Sequence, residues 1–274
     1  MTASPPNSIP GDPPRAAFPS DDALCEACGY PIKGLHPAGH CPECGSAIAD
    51  SHPGRRIGPV FEHRRGPIGY VQTAFAVIRR PRRTFRTMRA DGSNAHARRF
   101  LMVNAILSAL LWLVCAYGLP TGRAGWLQPF TDLLRGRSLG LLWLGGVFFA
   151  VPILTYIEVL GVTWFSRRRG WRVPLHLAER VACYASVGWL PGSALLGGTI
   201  YAAWSGRLQD MMLAVLSNLF NIAAGPFVND AAWVLVFFVG VLCMLGFETL
   251  VWVGVRRVKF ANPHHDTTTH PTRH

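Results

Sequence analysis

The stretch AAWVLVFFVGVLCMLGFETLVWVGV, residues 231–255, decides the fold of this chain. It contains one charged side chain, Glu248, and is otherwise dominated by apolar residues. An α-helix rises about 1.5 Å per residue, so about 20 such residues cross the roughly 30 Å of hydrocarbon in a bilayer. We therefore expect residues 231–255 to form a transmembrane helix.

Three other apolar stretches are long enough to cross a bilayer, and they cover residues 100–119, 139–165 and 181–204. A fifth stretch, residues 208–228, contains several polar side chains and includes a Gly-Pro pair near its end. We interpret it as an interfacial segment, with an extra span as the alternative. The sequence thus predicts an all-α polytopic membrane protein with about four transmembrane helices within residues 100–255.

Basic residues outside these stretches indicate the topology, because cytoplasmic loops carry an excess of Lys and Arg. A cluster of six arginines precedes the first span, and three arginines follow it. Five lie between the second span and the start of the third, and one lies before the last. The tail then contains Arg256, Arg257 and Lys259. This alternation predicts four spans in a bacterial cytoplasmic (inner) membrane, with both ends of the chain in the cytoplasm. A fifth span would place the basic tail outside.

The charge of the chain is concentrated in its front part. The 274 residues carry a formal net charge of +12, yet only 15% of them are charged, against about 25% in a typical soluble domain. Residues 1–99 contain fourteen of the 27 Lys and Arg residues. The chain therefore has a polar, basic N-terminal part and an apolar C-terminal part. Its excess of cations predicts an anionic partner, either a lipid surface or a nucleic acid.

Two C-x-x-C pairs lie in the stretch CEACGYPIKGLHPAGHCPECG, residues 25–45. A glycine follows each pair and tolerates the positive φ of a tight turn around a metal. Four thiolates complete the tetrahedral coordination of zinc and leave no open position for a substrate. The sequence predicts a structural zinc ribbon, with His36 and His40 as alternative ligands. The expected ligands are Cys25, Cys28, Cys41 and Cys44.

The motif C-x-x-C-G-Y-P-I-K-G-L…C-P-E-C-G resembles the double-knuckle zinc ribbon at the front of many bacterial membrane proteins. The resemblance implies a structural or docking module and no activity. The remaining cysteines, Cys115, Cys183 and Cys243, lie alone in apolar stretches, where we expect them to behave as small hydrophobic residues. An odd number of cysteines that includes C-x-x-C pairs favours a metal site in a reducing compartment over a disulfide framework.

A basic segment, YVQTAFAVIRRPRRTFRTMR at residues 70–89, precedes the first span. Val71, Phe75 and Ile78 recur in it at helical spacing. Such a segment is typical of an interfacial helix that binds anionic lipid headgroups. A solvated linker and a nucleic-acid-binding surface are the alternatives. The six arginines expected at the membrane surface are Arg79, Arg80, Arg82, Arg83, Arg86 and Arg89.

The chain divides into six predicted parts. The first is a proline-rich leader that we expect to be disordered and in which no signal peptide is visible. The parts are the leader at residues 1–20, the zinc ribbon at 21–50, a linker at 51–69, the basic amphipathic segment at 70–99, the transmembrane domain at 100–255 and a basic, histidine-containing tail at 256–274.

Two further stretches, RRPRRTFRTM at residues 79–88 and RRRGWRVPLHLAERVACYASVGWLPG at residues 167–192, resemble the Yip family of Ypt/Rab-interacting membrane proteins. The resemblance covers about residues 70–255, and its matching residues in the second stretch are Tyr184, Ser186 and Pro191. Eukaryotic members of that family bind small GTPases and shape trafficking membranes. The family usually has five spans, so a cytoplasmic tail after four spans is a departure from it.

Two carboxylates, Glu158 and Glu248, lie inside predicted spans, where a charged side chain is costly and is a candidate functional site. Each precedes a cytoplasmic arginine by eight or nine residues, so both lie at a similar depth. Asn104 in the first span is a candidate partner. A cation-binding or proton-relay site is one interpretation, and hydrogen-bonded packing residues are the other.

No catalytic motif is visible in the sequence, which contains no serine elbow, H-E-x-x-H, phosphate loop or dinucleotide fingerprint. We therefore expect an integral membrane scaffold or adaptor, not an enzyme, whose zinc ribbon docks an unknown protein partner. The Gly188-x-x-x-Gly192 spacing permits close helix contact, within the chain or in an oligomer. The alternatives are a small-solute or ion transporter that uses Glu158 and Glu248, and a membrane-tethered regulator that binds nucleic acid.

Overall fold

The computed structural model describes residues 23–90, 92–117, 139–204 and 227–262, together with five isolated residues between 207 and 214. These ranges are mostly helical and contain no β-strand beyond two isolated bridges. The predicted helical class is therefore confirmed. The predicted leader at residues 1–20 and most of the weak stretch at 208–228 lie outside the described residues.

Eight α-helices occur in the described ranges. They are α1 (Val60–His63), α2 (Pro67–Arg79), α3 (Pro81–Arg86), α4 (Ala95–Tyr117), α5 (Leu139–Arg168), α6 (Leu175–Ala185), α7 (Trp189–Trp204) and α8 (Phe227–Val258). Short 3₁₀ turns cover Ile48–Ser51, Pro53–Arg55 and Ser186–Gly188. Pro67 and Pro81 lie in the first turns of α2 and α3, where the missing N–H is not needed for a helical hydrogen bond.

Among the residues that the structure describes, two helices are long and apolar enough to cross a membrane, at Gly145–Arg168 in α5 and Ala231–Val258 in α8. They coincide with two of the four predicted spans. Helix α4 covers most of a third predicted span, residues 100–119, as far as Tyr117.

The stretch predicted as one span at residues 181–204 is divided in the structure. It begins within α6, passes through the 3₁₀ turn Ser186–Gly188 and continues as α7. All of α6 from Leu177 to Ala185 is buried, because α4, α5 and α8 pack around it. Pro191 lies in the first turn of α7, a position that proline occupies without breaking a helical hydrogen bond.

Close helix contacts hold α7 against α8. A Cβ atom on Gly192 would lie 2.9 Å from Cys243 Cβ, and one on Gly188 would lie 3.2 Å from Phe247 Cα. The Gly188-x-x-x-Gly192 contact therefore forms within the chain, between α8 and the segment that runs from the 3₁₀ turn into α7. Nearer the carboxyl end of α8, Gly254 leaves room for the side chains of Val181 and Phe85.

Three contacts bring distant parts of the chain to the same end of the helical bundle. Asn94, just before α4, donates from Nδ2 to the carbonyl of His176 in α6 (2.7 Å). Arg172, which follows α5, donates its N–H to the carbonyl of Lys259, which follows α8 (2.8 Å). Asn262 Nδ2 donates to the Leu24 carbonyl (2.8 Å). The cysteine-rich front of the chain and the carboxyl end of α8 thus meet at this end.

Candidate metal centre and its surroundings

The two C-x-x-C pairs form two turns of the same geometry. In the first turn, the Gly29 N–H donates to the Cys25 carbonyl (2.7 Å), and the Cys25 N–H donates to the Tyr30 carbonyl (2.8 Å). In the second, the Gly45 N–H donates to the Cys41 carbonyl (2.9 Å), and the Cys41 N–H donates to the Ser46 carbonyl (2.8 Å). Gly29 and Gly45 have φ of +86° and +70°, which glycine adopts without steric cost. We call the two turns knuckle 1 and knuckle 2, and residues 23–55, which contain them, the head.

The four thiols of the head lie within 4.8 Å of one another. Cys25 Sγ is 3.6 Å from Cys44 Sγ, and Cys28 Sγ is 3.6 Å from Cys41 Sγ. Tetrahedral zinc with Zn–S bonds of about 2.3 Å separates its sulfurs by about 3.8 Å. The predicted ligands therefore lie together with spacings that suit one metal ion. All seven cysteines are free thiols in the structure.

The electrostatic surroundings of the thiols differ between the knuckles. Hydrogen bonds from Ser46 lower the pKa of the Cys44 thiol to about 6. Burial raises the pKa of the Cys28 thiol to about 12. A metal ion bound by four thiolates must displace the protons that remain, so we expect metal affinity to fall in acid.

The apolar core of the head is very small. It consists of Ala23, Ile32 and Ile48 together with buried Cys25 and Cys41. So few side chains cannot offset the conformational entropy of ordering the segment. The head therefore depends on its contacts with the helices, and a metal ion held by the four thiols would add to its stability.

Asn262, just beyond α8, connects the head to the helical bundle. Its Nδ2 donates to the carbonyls of Leu24 and Ser51 (2.8 Å each), and its Oδ1 accepts from the Leu24 N–H (2.9 Å). Asn262 is buried. Because Leu24 precedes the first ligand, these bonds hold knuckle 1 against the end of α8.

A buried ion pair makes the second connection. Arg56 donates from Nε and one terminal nitrogen to the two carboxylate oxygens of Glu26 (2.7 Å each). It also donates to the carbonyls of Met88 (2.8 Å) and Arg257 (3.3 Å). The Arg56 side chain is 2% exposed. Such a bidentate, fully hydrogen-bonded arginine fixes geometry because its donors are planar and rigid.

The ring of Phe260 lies against knuckle 1. A Cβ atom on Gly29 would lie 2.8 Å from this ring, so the contact requires glycine. Lys259 Nζ lies 4.8 Å from the centre of the same ring. Sequence reasoning missed Glu26, Arg56, Phe260 and Asn262, because no local pattern links residues that lie 30 to more than 200 positions apart.

The arginines predicted at the membrane surface cluster around α3. All of them are exposed except the half-buried Arg89. Arg86 donates to Asp50 of the head (3.2 Å), and Arg79 lies over the ring of Phe75. Helix α2 exposes an apolar stripe that runs toward this cluster, formed by Ile68, Val71, Phe75 and Ile78, each more than 50% exposed.

The polar residues of the predicted spans do not form a single group. Glu158 on α5 and Glu248 on α8 are both half-buried. Asn104 instead accepts from the Tyr70 hydroxyl (2.5 Å) and donates to Ser186 Oγ (2.8 Å). In this structure Asn104 connects α2, α4 and the 3₁₀ turn before α7.

A second polar network, also missed from the sequence, surrounds Glu179 of α6. Its carboxylate accepts from Arg98 (2.6 Å), Asn94 (2.7 Å) and Tyr156 (2.9 Å). Burial would raise the pKa of Glu179, but the hydrogen bonds from these three side chains outweigh it and lower the pKa. The adjacent Arg180 donates to the carbonyls of Arg89, Gly92 and Ser93. The network thus holds the connection between the basic segment and α4.

Comparisons of the chain with protein-family models, with curated proteins and with solved structures found no match. The zinc-ribbon and Yip resemblances therefore remain predictions that rest on the sequence motifs alone.

Proposed function

We propose that this protein is a membrane-embedded scaffold whose head is a structural zinc ribbon that docks a protein partner in the cytoplasm. The observation that carries the proposal is the attachment of the head to the helix ends through Asn262 and Arg56. This attachment gives the head one fixed orientation relative to the bundle. A recognition module held in this way presents the same surface to every partner.

Zinc is the metal that the donor set favours. Four thiolates are soft ligands, and their spacing near 3.6 Å matches a tetrahedral ion. The four cysteines leave no coordination position for a reacting water, so the metal would support the fold and not chemistry. Zinc loading would then be part of the folding free energy of the head.

The contacts at one end of the bundle support four spans. Residues before α4 contact α6, the loop after α5 contacts Lys259, and the head contacts Asn262. Segments in direct contact outside the bilayer must lie on the same side of it, so the chain between them must cross it an even number of times. This condition holds for all three contacts if α4, α5, α7 and α8 each cross the membrane. The fifth-span alternative, residues 208–228, would separate Leu24 from Asn262 by an odd number of crossings. A thiolate site also favours the reducing, cytoplasmic side.

Knuckle 2 is an exposed surface of the head to which a partner has access. Knuckle 1 is covered by Phe260, whereas His40, Pro42 and Glu43 at knuckle 2 are exposed. We expect partner binding to involve this side of the head.

The test is site-specific photocrosslinking in cells from a residue that replaces Glu43. The proposal predicts a discrete protein adduct that disappears when the head is emptied by Cys28→Ser and Cys41→Ser. The matched control places the crosslinker at Phe237, an exposed apolar position on α8, where no such adduct is expected. A head that gives no discrete adduct, or the same adduct with and without the cysteines, would contradict the docking role.

A second candidate function, ion or proton transport, is favoured by one observation, the position of two half-buried carboxylates, Glu158 and Glu248, within the two candidate spans. Carboxylate pairs inside membranes bind cations or carry protons in many transporters. The test is flux in liposomes that contain the wild type, Glu158→Gln with Glu248→Gln, or Glu43→Gln as a control. Transport predicts a flux that only the intramembrane pair of substitutions abolishes. Equal flux from all three proteins would exclude it.

A further inference from the structure

A cavity of about 630 Å³ lies between the head, α3 and the carboxyl end of α8. Its volume is within the roughly 300–1,000 Å³ of typical small-molecule sites. Glu26 and Asp50 of the head line one side, and Arg82 and Arg86 of α3 line another. The end of α8 closes it.

The cavity has an excess of positive charge. Its cations are Arg82, Arg86, Arg256, Arg257 and Lys259. Both of its carboxylates already have arginine partners, because Glu26 is paired with buried Arg56, and Asp50 is shared between Arg55 and Arg86 of the lining. Although Arg86 shares Asp50 with Arg55, the two carboxylates leave most of the positive charge of the lining uncompensated, and an anion is the ligand that this charge favours.

One wall of the cavity is apolar. It is formed by Trp252 and Val253, which belong to the candidate span Ala231–Val258. Arg256 and Arg257 follow within the next helical turn. Trp252 is 44% exposed and also contacts Phe165 and Trp171. Exposed tryptophan below a pair of arginines is the arrangement expected where a helix leaves the bilayer.

We propose that this cavity binds the phosphate headgroup of an anionic phospholipid. The arginines of α3 and α8 contact the phosphate, and the glycerol and upper acyl carbons lie along Trp252 and Val253. The inference rests on the membrane location in the proposed function. Basic pockets beside transmembrane helices bind lipid headgroups in this way. A soluble phosphate compound would use the same arginines but would not require the apolar wall.

The test uses the full-length protein in detergent, with bound lipids counted by native mass spectrometry. The ligands are phosphatidylglycerol, phosphatidylcholine and inorganic phosphate. The proposal predicts that phosphatidylglycerol binds and resists competition by inorganic phosphate. Since each arginine near an anionic headgroup contributes about fivefold in affinity, Arg256→Gln with Arg257→Gln should weaken phosphatidylglycerol binding roughly 30-fold.

The matched control is Arg167→Gln with Arg168→Gln, which removes two arginines from the last turn of α5, outside the cavity. We expect it to leave phosphatidylglycerol binding unchanged. Zinc content is measured for every variant. If the α8 variant loses its metal, Arg82→Gln on α3 provides the same test.

Equal losses from the α5 and α8 variants would overturn the proposal, because they would indicate general surface attraction. Equal affinity for phosphatidylcholine would overturn it as well. Full competition by inorganic phosphate would assign the cavity to a soluble anion. These outcomes are independent of the crosslinking from Glu43, so failure of the lipid site and failure of the docking role are distinguishable.

Discussion

Single residues beyond the recognised motifs determine how the head is held. Asn262 satisfies two carbonyls and one N–H of the head with one buried amide. Arg56 neutralises Glu26 and caps two further carbonyls. Buried polar groups that lose such partners are costly, at about 1–3 kcal/mol each. The stability of the docked head therefore depends on these two side chains.

Replacing Asn262 with Ala should loosen the head. It leaves the Leu24 amide group and the Ser51 carbonyl without their partners, so we expect a loss of about 2–4 kcal/mol of docking free energy. The first ligand follows Leu24 directly, so metal transfer to a chelator should accelerate at least about tenfold. Gln72→Ala on the exposed side of α2 should leave the transfer rate unchanged. Equal transfer rates for the wild type and Asn262→Ala would show that docking does not protect the site.

The Glu179 network should make stability depend on pH. Its carboxyl pKa is lowered from 4.5 in the folded protein, so the charged form stabilises the fold above the unfolded pKa. This contribution is lost as the pH falls through the folded pKa. When the pH is lowered from 7 to about 4 or less, the melting temperature of the wild type should therefore decrease more than that of Glu179→Gln.

The metal site also weakens in acid, but it is the same in both proteins, so their difference isolates Glu179. Glu43→Gln is the control, because Glu43 is exposed on knuckle 2. It should retain the full acid sensitivity of the wild type. An identical decrease for the wild type and Glu179→Gln would contradict a stabilising role for the charged carboxylate.

At the scale of helices, the length of an apolar stretch predicted where a long helix forms, but the sequence did not predict where a helix is interrupted. The long stretches without charge predicted α5 and α8, because only chain length and composition matter for such helices. The division of residues 181–204 into α6 and α7 could not be predicted. It depends on α6 being buried among α4, α5 and α8, and this environment is set by tertiary packing.

The site shows the same division between local and long-range information. The four cysteines were found because their ligand spacing is local in the sequence and their chemistry is specific. Phe260 and Asn262 were missed because they contact the head across more than 200 residues. The exposed stripe of α2 followed from helical periodicity, but its orientation relative to the head did not.

The α7–α8 contact predicts opposite effects for two glycine substitutions. Gly192→Ala places a methyl group 2.9 Å from Cys243 Cβ, so it should destabilise the protein by about 1–3 kcal/mol through overpacking. Gly198→Ala, on the same helix, meets no atom within 4 Å. It should be neutral or stabilising by up to about 1 kcal/mol, since alanine favours a helix.

The free energy of unfolding in detergent measures both glycine variants. An oligomer interface at Gly192 would instead change the oligomeric state and leave the monomer's stability intact. The intramolecular contact would be wrong if Gly192→Ala were as stable as Gly198→Ala.

At the scale of the whole molecule, the contacts at one end of the bundle connect topology to the metal site. Leu24 of the head and Asn262 beyond α8 are in direct contact, so a membrane cannot lie between them. In the proposed four-span arrangement, Arg256, Arg257 and Lys259 then lie on the same side as the arginine cluster. This agrees with the orientation that the distribution of Lys and Arg predicts, and the two arguments use independent information.

Protease accessibility of the two ends of the chain, measured in sealed vesicles of both orientations, tests this account most directly. Epitope tags before residue 23 and after residue 262 should be cleaved together in inside-out vesicles and protected together in right-side-out vesicles. Cleavage of one tag while the other is protected, in either orientation, would contradict the docking of the head on the end of α8 and the four-span arrangement with it.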